Sequence, residues 1–125
     1  MAGKIIADTL EHSTAGSIAT NYVVDGSAKA WCSANASEVI YDSQSLNISS
    51  LLDVDVGEID FSLTNAVTST SACVQATAGS SAVRIAETKG TPWADTSTIQ
   101  YKCYSGGGSL ADASYNFIAV FGSLA

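Results

Sequence analysis

The chain is poor in charge, in histidine and in proline. Of its 125 residues only 14% are charged, and five Lys and Arg stand against twelve Asp and Glu for a formal net charge of -7. Binding to a polyanion draws most of its affinity from Lys and Arg, so this balance argues against nucleic acid and anionic membrane as partners. No hydrophobic run approaches the roughly 18 apolar residues needed to cross a bilayer, because Asp, Glu, Ser or Asn interrupts each one. The start, Met1-Ala2-Gly3-Lys4-Ile5-Ile6-Ala7-Asp8, loses its apolar character at Asp8, and no secretory signal is read there. Cys32, Cys73 and Cys103 are an odd set with no C-x-x-C pair. A zinc site needs tighter spacing, so they read as reduced, largely buried thiols, with one disulfide plus a leftover thiol as the alternative.

What is present is 46% hydrophobic residues in a background of Ser, Thr, Ala and Gly, a mixture suited to strands and turns. At this length folding buries roughly two thirds of the surface the unfolded chain exposes, enough for one domain held by apolar burial. Runs of β-branched and aromatic residues recur between Gly, Asn, Asp and Ser clusters. Tyr22 to Val24 and Ala28 to Cys32 flank Asp25-Gly26, which reads as a hairpin turn. Further strands are expected at Glu38 to Tyr41, Ser45 to Ile48, Leu51 to Val54, Glu58 to Thr64, Ala72 to Thr77, Ala82 to Thr88 and Thr98 to Tyr104. Ile59, Phe61 and Leu63 fall on one face of theirs, as do Ile99, Tyr101 and Cys103. The last run, Asn116 to Phe121, is apolar on both faces, so it is expected either at the centre of a sandwich or against another subunit. Lys4 to Leu10 serves a helix or a strand equally well. Strands about every eight to twelve residues predict an all-β fold, an antiparallel, jelly-roll-like β-sandwich of about eight strands. The expected division is an extended arm over 1–20 and a single sandwich domain over 21–125.

Chemistry-bearing constellations are scarce. His12 is the only histidine. It lies in a Ser, Thr and Gly context and reads as a surface residue rather than a triad member. Asp53, Asp55, Glu58 and Asp60 lie close in sequence but flank a turn, where solvent is expected to keep them ionised, whereas a catalytic acid needs a desolvated site. As a calcium loop the cluster fails the EF-hand spacing, since Gly57 falls at position five and Thr64 at twelve. Gly106-Gly107-Gly108-Ser109 lacks the Lys and following helix of a phosphate loop and reads as a flexible connection. No catalytic residue, metal ligand or cofactor is assigned. Trp31, inside a strand, reads as core. Trp93, in the connection Lys89-Gly90-Thr91-Pro92-Trp93, and Tyr104 are the candidates for stacking on a sugar ring.

A set of segments carries a family resemblance: Ala7-Asp8-Thr9-Leu10, Tyr22-Val23-Val24, Gly26-Ser27-Ala28-Lys29-Ala30-Trp31, Ser45-Leu46-Asn47-Ile48-Ser49-Ser50-Leu51 and Gly57-Glu58-Ile59-Asp60-Phe61. Together they resemble the small β-rich domain of tail-fibre-like and other virion proteins of tailed bacteriophages, especially those of marine bacteria. The similarity runs from about Lys4 to Gly122 and ends in Ala119-Val120-Phe121, which resembles that domain's closing strand. After Trp31 the chain departs from it with Cys32-Ser33-Ala34-Asn35-Ala36-Ser37. The family has no catalytic residues to carry over, so the resemblance implies a binding or assembly module, made in the host bacterial cytoplasm and carried on the virion surface. A tail fibre needs an attachment segment and a shaft, for which so short a chain has little room. A capsid decoration or cement protein, or a short head fibre, is therefore expected first. A glycan-binding, receptor-recognising module of a tail fibre comes second. The resemblance further implies a homotrimer contacting the major capsid or other virion proteins, with Ile5, Ile6, Leu10, Phe117 and Phe121 as interface candidates.

Overall fold

In a computed structural model that describes residues 6–14, 16–35, 37, 39–89 and 95–125, the described residues form ten strands and one short helix. An N-terminal ribbon pairs β1 (Thr9–His12) with β2 (Gly16–Ala19) and leads into α1 (Thr20–Gly26). The remaining eight strands form two antiparallel four-stranded sheets. The first has the order β4 (Ile40–Leu46), β3 (Ala30–Asn35), β10 (Tyr115–Phe121), β7 (Cys73–Gly79). The second runs β5 (Ile48–Asp55), β6 (Glu58–Leu63), β9 (Thr98–Ser105), β8 (Arg84–Thr88). One hydrophobic cluster joins their inner faces, so the molecule is a β-sandwich. Hairpins β3–β4, β5–β6 and β8–β9 each stay within one sheet, an order that does not by itself establish a jelly-roll winding.

The core is divided unequally. The second sheet supplies the bulk, with Ile59, Phe61 and Leu63 from β6 and Ile99, Tyr101 and Cys103 from β9. Phe61 and Tyr101 meet edge to face, their centroids 5.9 Å apart, a geometry that contributes about 1 kcal/mol beyond burial. The first sheet answers with small groups: Ala30, Cys32 and Ala34 from β3 are buried, and Ala76 and Ala78 from β7 pack against them. The larger side chains from that side are Ile118 and Val120 of β10, with Val74 and, from β4, Ile40 partly buried beside them. Large facing small lets the sheets interdigitate at interior density.

Three local expectations change. Tyr22 to Val24 is not a strand but the middle of α1, and Asp25-Gly26 closes no hairpin, since Gly26 does not take a positive φ. Residues just past the helix hold its end. Ser27 N donates to Val23 O at 3.2 Å, Ser27 Oγ to Val24 O at 3.1 Å, and Lys29 Nζ also reaches Val24 O. A lysine on the last carbonyls complements the helix dipole. Ser45 to Ile48 is not one strand either. Asn47 has a φ of 58°, and its side chain holds Asn65, accepting from the Asn65 N at 2.7 Å and donating to its O at 2.9 Å. That left-handed residue, which Asn tolerates better than most, carries the chain from the first sheet to the second. Trp31 is not core: Ala30 and Cys32 point inward, so the pleat turns Trp31 out.

The β5–β6 turn depends on Gly57. Its φ is 70°, and a Cβ there would lie 2.5 Å from the Cys103 carbonyl oxygen and 2.8 Å from the Ala111 nitrogen. Both the dihedral and the contact with backbone exclude a side chain. Gly57→Ala is expected to cost more than about 2 kcal/mol, read as a lowered urea midpoint. Gly26→Ala, with open space around the same atom, should stay within about 1 kcal/mol of the wild-type chain.

Candidate functional site

The two outer faces of the sandwich differ in chemistry. None of β3, β7 and β10 contains a charged residue. On the outside of these strands the register aligns Trp31 with Ala119 and Gln75, Ser33 with Phe117 and Thr77, and Asn35 with Tyr115 and Gly79. Phe121 stands opposite Cys73, and Leu46 of β4 flanks Trp31. Trp31 is 36% exposed, Phe117 38%, Tyr115 46% and Leu46 49%, while Phe121 is half-buried. Tyr115 and Phe117, two residues apart on β10, hold their rings within 6° of parallel with centroids 6.3 Å apart. The result is an aromatic surface ringed by hydroxyl and amide groups. Gly79 lies under it, where a Cβ would come 3.2 Å from that of Tyr115.

The opposite face is ionic. Glu58 is only 8% exposed and is gripped by two lysines, with Lys89 Nζ 2.7 Å from its Oε2 and Lys102 Nζ 2.7 Å from its Oε1. The expectation of a solvated carboxylate at the turn fails for this residue, because its neighbour in register on β9 is Lys102. Hydrogen bonds from Lys102 and Lys89 hold the Glu58 carboxyl below its usual range, and Glu58 in turn raises Lys102. Asp60, next on the same face, is raised by burial. Tyr104 lies on this side too, half-buried, and its hydroxyl donates to Glu87 Oε1 at 2.8 Å.

At the β5–β6 end, a cavity of about 10 Å³ is lined by residues including Asp53, Asp55, Asp112, Tyr101 and Asn116. Asp112 Oδ1 accepts from the Gly57 N at 2.7 Å, which ties the β9–β10 connection to the turn. The Asn116 Oδ1 and the Tyr101 hydroxyl are buried with no nitrogen or oxygen partner. The Tyr101 hydroxyl lies beside the Cys103 thiol, and burial raises both groups. Among the described residues no three His, Cys, Asp or Glu side chains are grouped to hold a metal ion. All three thiols are free; Cys32 and Cys103 are buried and Cys73 is exposed. Burial pushes the Cys32 thiol up to about 11, leaving it protonated at neutral pH.

The sequence-derived candidates are thus scattered over the molecule. Phe117 and Phe121 come together on the aromatic face, joined there by Trp31, Tyr115 and Leu46, which residue-by-residue reading does not group. Leu10 is in β1, 47% exposed, and Ile6 precedes it, 82% exposed. Ile5 and Trp93 lie outside the described residues. Among the described residues no helix is long and apolar enough to cross a membrane. No protein-family model matches the chain, and neither a curated protein nor a solved structure matches it.

The ion-paired face makes stability depend on pH. Because the folded state depresses the Glu58 pKa, its contribution is present above the ordinary glutamate value of about 4.3 and is lost as pH falls through the folded value. Lys102, raised, contributes below its ordinary value and loses that contribution as pH rises through the folded one. Urea unfolding of Glu58→Gln at pH 7 and pH 3 should therefore show a smaller drop in stability on acidification than the wild-type chain. In the core, Tyr101→Phe removes a hydroxyl with no nitrogen or oxygen partner and should remain within about 1 kcal/mol of wild type, whereas Phe61→Ala should cost about 3–5 kcal/mol.

Proposed function

We propose that this chain is a non-enzymatic structural protein of a tailed-phage virion, a capsid-surface decoration or cement protein or a short head-fibre module, acting through protein–protein contacts. The observation that carries the reading is the division of the sandwich into a sheet with three uncharged strands and an exposed aromatic outer face, its one charged residue being Asp42 of the edge strand β4, and a charged sheet with an ion-paired one. Contiguous exposed apolar surface rimmed by polar groups is the mark of an interaction site, and Trp and Tyr are the residue types that anchor such sites. The sequence resemblance to virion surface domains supplies the setting. In that setting the protein works by mass action: binding only to the assembled shell stabilises the assembled state. No bond is made or broken.

A second reading, a glycan-binding receptor module on a tail fibre, is favoured by one feature of the same face. Ser33, Gln75 and Thr77 stand between and beside the rings of Trp31 and Phe117, so a sugar could lay its C–H face on a ring while its hydroxyls meet an amide or hydroxyl.

The test is quantitative mass spectrometry of purified particles. The structural reading expects the chain in stoichiometric ratio to a shell protein, and expects Phe117→Asp to fold normally yet fall at least tenfold in particle content. Absence of the wild-type chain from the particles would sink it. Adsorption of the purified protein to host cells, abolished in Trp31→Ala, is the outcome the glycan reading expects instead.

A further inference from the structure

The N-terminal β1–β2–α1 unit is formed but unsupported. None of α1's residues is buried, and β2 is exposed except for half-buried Ala19. Six apolar side chains of this arm face solvent: Ile6, Leu10, Ile18, Tyr22, Val23 and Val24 are each between 42% and 82% exposed. A two-stranded ribbon standing alone is marginal in water, and a helix of seven residues is far below the roughly 12 to 15 needed for isolated stability. Such an arm keeps its shape only when its apolar side lies against something, and here that is not its own sandwich.

From this we infer that the arm of one copy docks on the aromatic face of a second copy. The inference rests on the reading that this chain works by protein–protein contact, and it names the partner. Both halves of the contact are exposed in the single copy. The arm offers Leu10, Ile18 and Val24, and the face offers Trp31, Phe117 and Tyr115. Charge favours the same pairing. Two chains of net charge -7 repel, and in the first sheet only the edge strand β4, with Asp42, contains a charged residue, so β3, β7 and β10 give a surface on which they can meet. Asp8, Glu11 and Asp25 on the arm therefore meet no carboxylate from those strands.

Size adds a constraint. Four strands about 4.8 Å apart and seven residues of about 3.4 Å each give the face a footprint of about 450 Å². That is short of the about 800 Å² per partner that a stable association buries. A head-to-tail arrangement removes the shortfall, because each copy then gives its arm to one neighbour and its face to another, about doubling the area buried per copy. Contacts of this kind close into rings where the rotation closes and extend into filaments where it does not.

The experiment is complementation with full-length protein. Leu10→Asp with Ile18→Asp spoils the arm, and Phe117→Asp spoils the face. All three positions are exposed in the single copy, so both variants should keep the wild-type far-UV circular dichroism and melting temperature. Light scattering after size exclusion should find the wild-type chain assembled and each variant monomeric. An equimolar mixture of the two variants leaves one sound arm for one sound face, a single contact of about 450 Å², and should form a weak, concentration-dependent two-chain species that neither variant forms alone. An arm variant that still assembles alone, or a mixture no more associated than either variant at high concentration, overturns the inference. A wild-type chain that is monomeric yet abundant on purified virions overturns it too and leaves the virion reading standing. Assembly by arm and face in a protein missing from virions does the reverse.

Discussion

Period-two alternation forces a choice in the strands of the first sheet, and the core decides it. The second sheet fills the interior with Phe61, Tyr101, Ile99, Ile59 and Leu63, leaving room for β3 to add little more than methyl groups and a thiol beside the aliphatic Ile118 and Val120 of β10. β3 must therefore point Ala30, Cys32 and Ala34 inward, and the pleat then has no option but to turn Trp31 out. β10 repeats the logic: Ile118 and Val120 go in and Phe117 and Phe121 go to the other side. The aromatic face is thus tied to the packing of the interior. A register slip of one residue would drive Trp31 and Phe117 into space already taken by Phe61 and Tyr101 and expose the small residues instead.

This dependence also explains what could be read from the sequence and what could not. Most strands of both sheets are legible because their β-branched runs and bounding Gly, Asn and Ser clusters are local signals, and Glu58 to Thr64 shows its inward face too. Strand β4 is not, because it spans two expected runs and ends at the left-handed Asn47 inside the second. The inward face of β3 was not legible. Ala-Trp-Cys-Ser-Ala-Asn offers a large side chain on one parity and three small ones on the other, and hydrophobicity alone selects the tryptophan. Only the bulk arriving from β6 and β9 reverses that choice, and no local pattern carries it. The helix α1 was hidden for a related reason. Its valines favour a strand, while its end is secured by Ser27 and Lys29, side chains that serve backbone carbonyls and leave no periodic trace.

The candidate site was legible in part. Phe117 and Phe121 stand out because the last strand is apolar on both parities; it lies between β3 and β7 in its sheet, but only one of its faces is covered within the chain, with Tyr115 and Phe117 exposed on the other. Tyr115 precedes Phe117 by two residues on the same strand, but Trp31 and Leu46 come from β3 and β4, far earlier in the chain, and join them only by register. Composition carries part of the signal: within the two sheets of the sandwich, β3, β7 and β10 are the strands with no charge, so grouping them by charge separates most of this face, Leu46 of β4 aside, from the ion-paired one. Glu58 illustrates the limit, since its two lysines are 31 and 44 positions away and reach it only through the sheet.

The segregation of charge has an electrical consequence. Among the sandwich strands, Asp53, Asp55, Glu58, Asp60 and Glu87 lie in the second sheet with Arg84 and Lys102 to offset them, against Asp42 alone in the first, so the strands of the sandwich form a dipole whose negative pole lies away from the aromatic surface. In the field of any anionic object, a bacterial envelope or an acidic particle, the torque on that dipole turns the charged sheet outward. The approach is slowed by net repulsion but arrives pre-oriented, with the uncharged rings leading. Raising the ionic strength would erase both effects together, because the same screening length governs the repulsion and the torque.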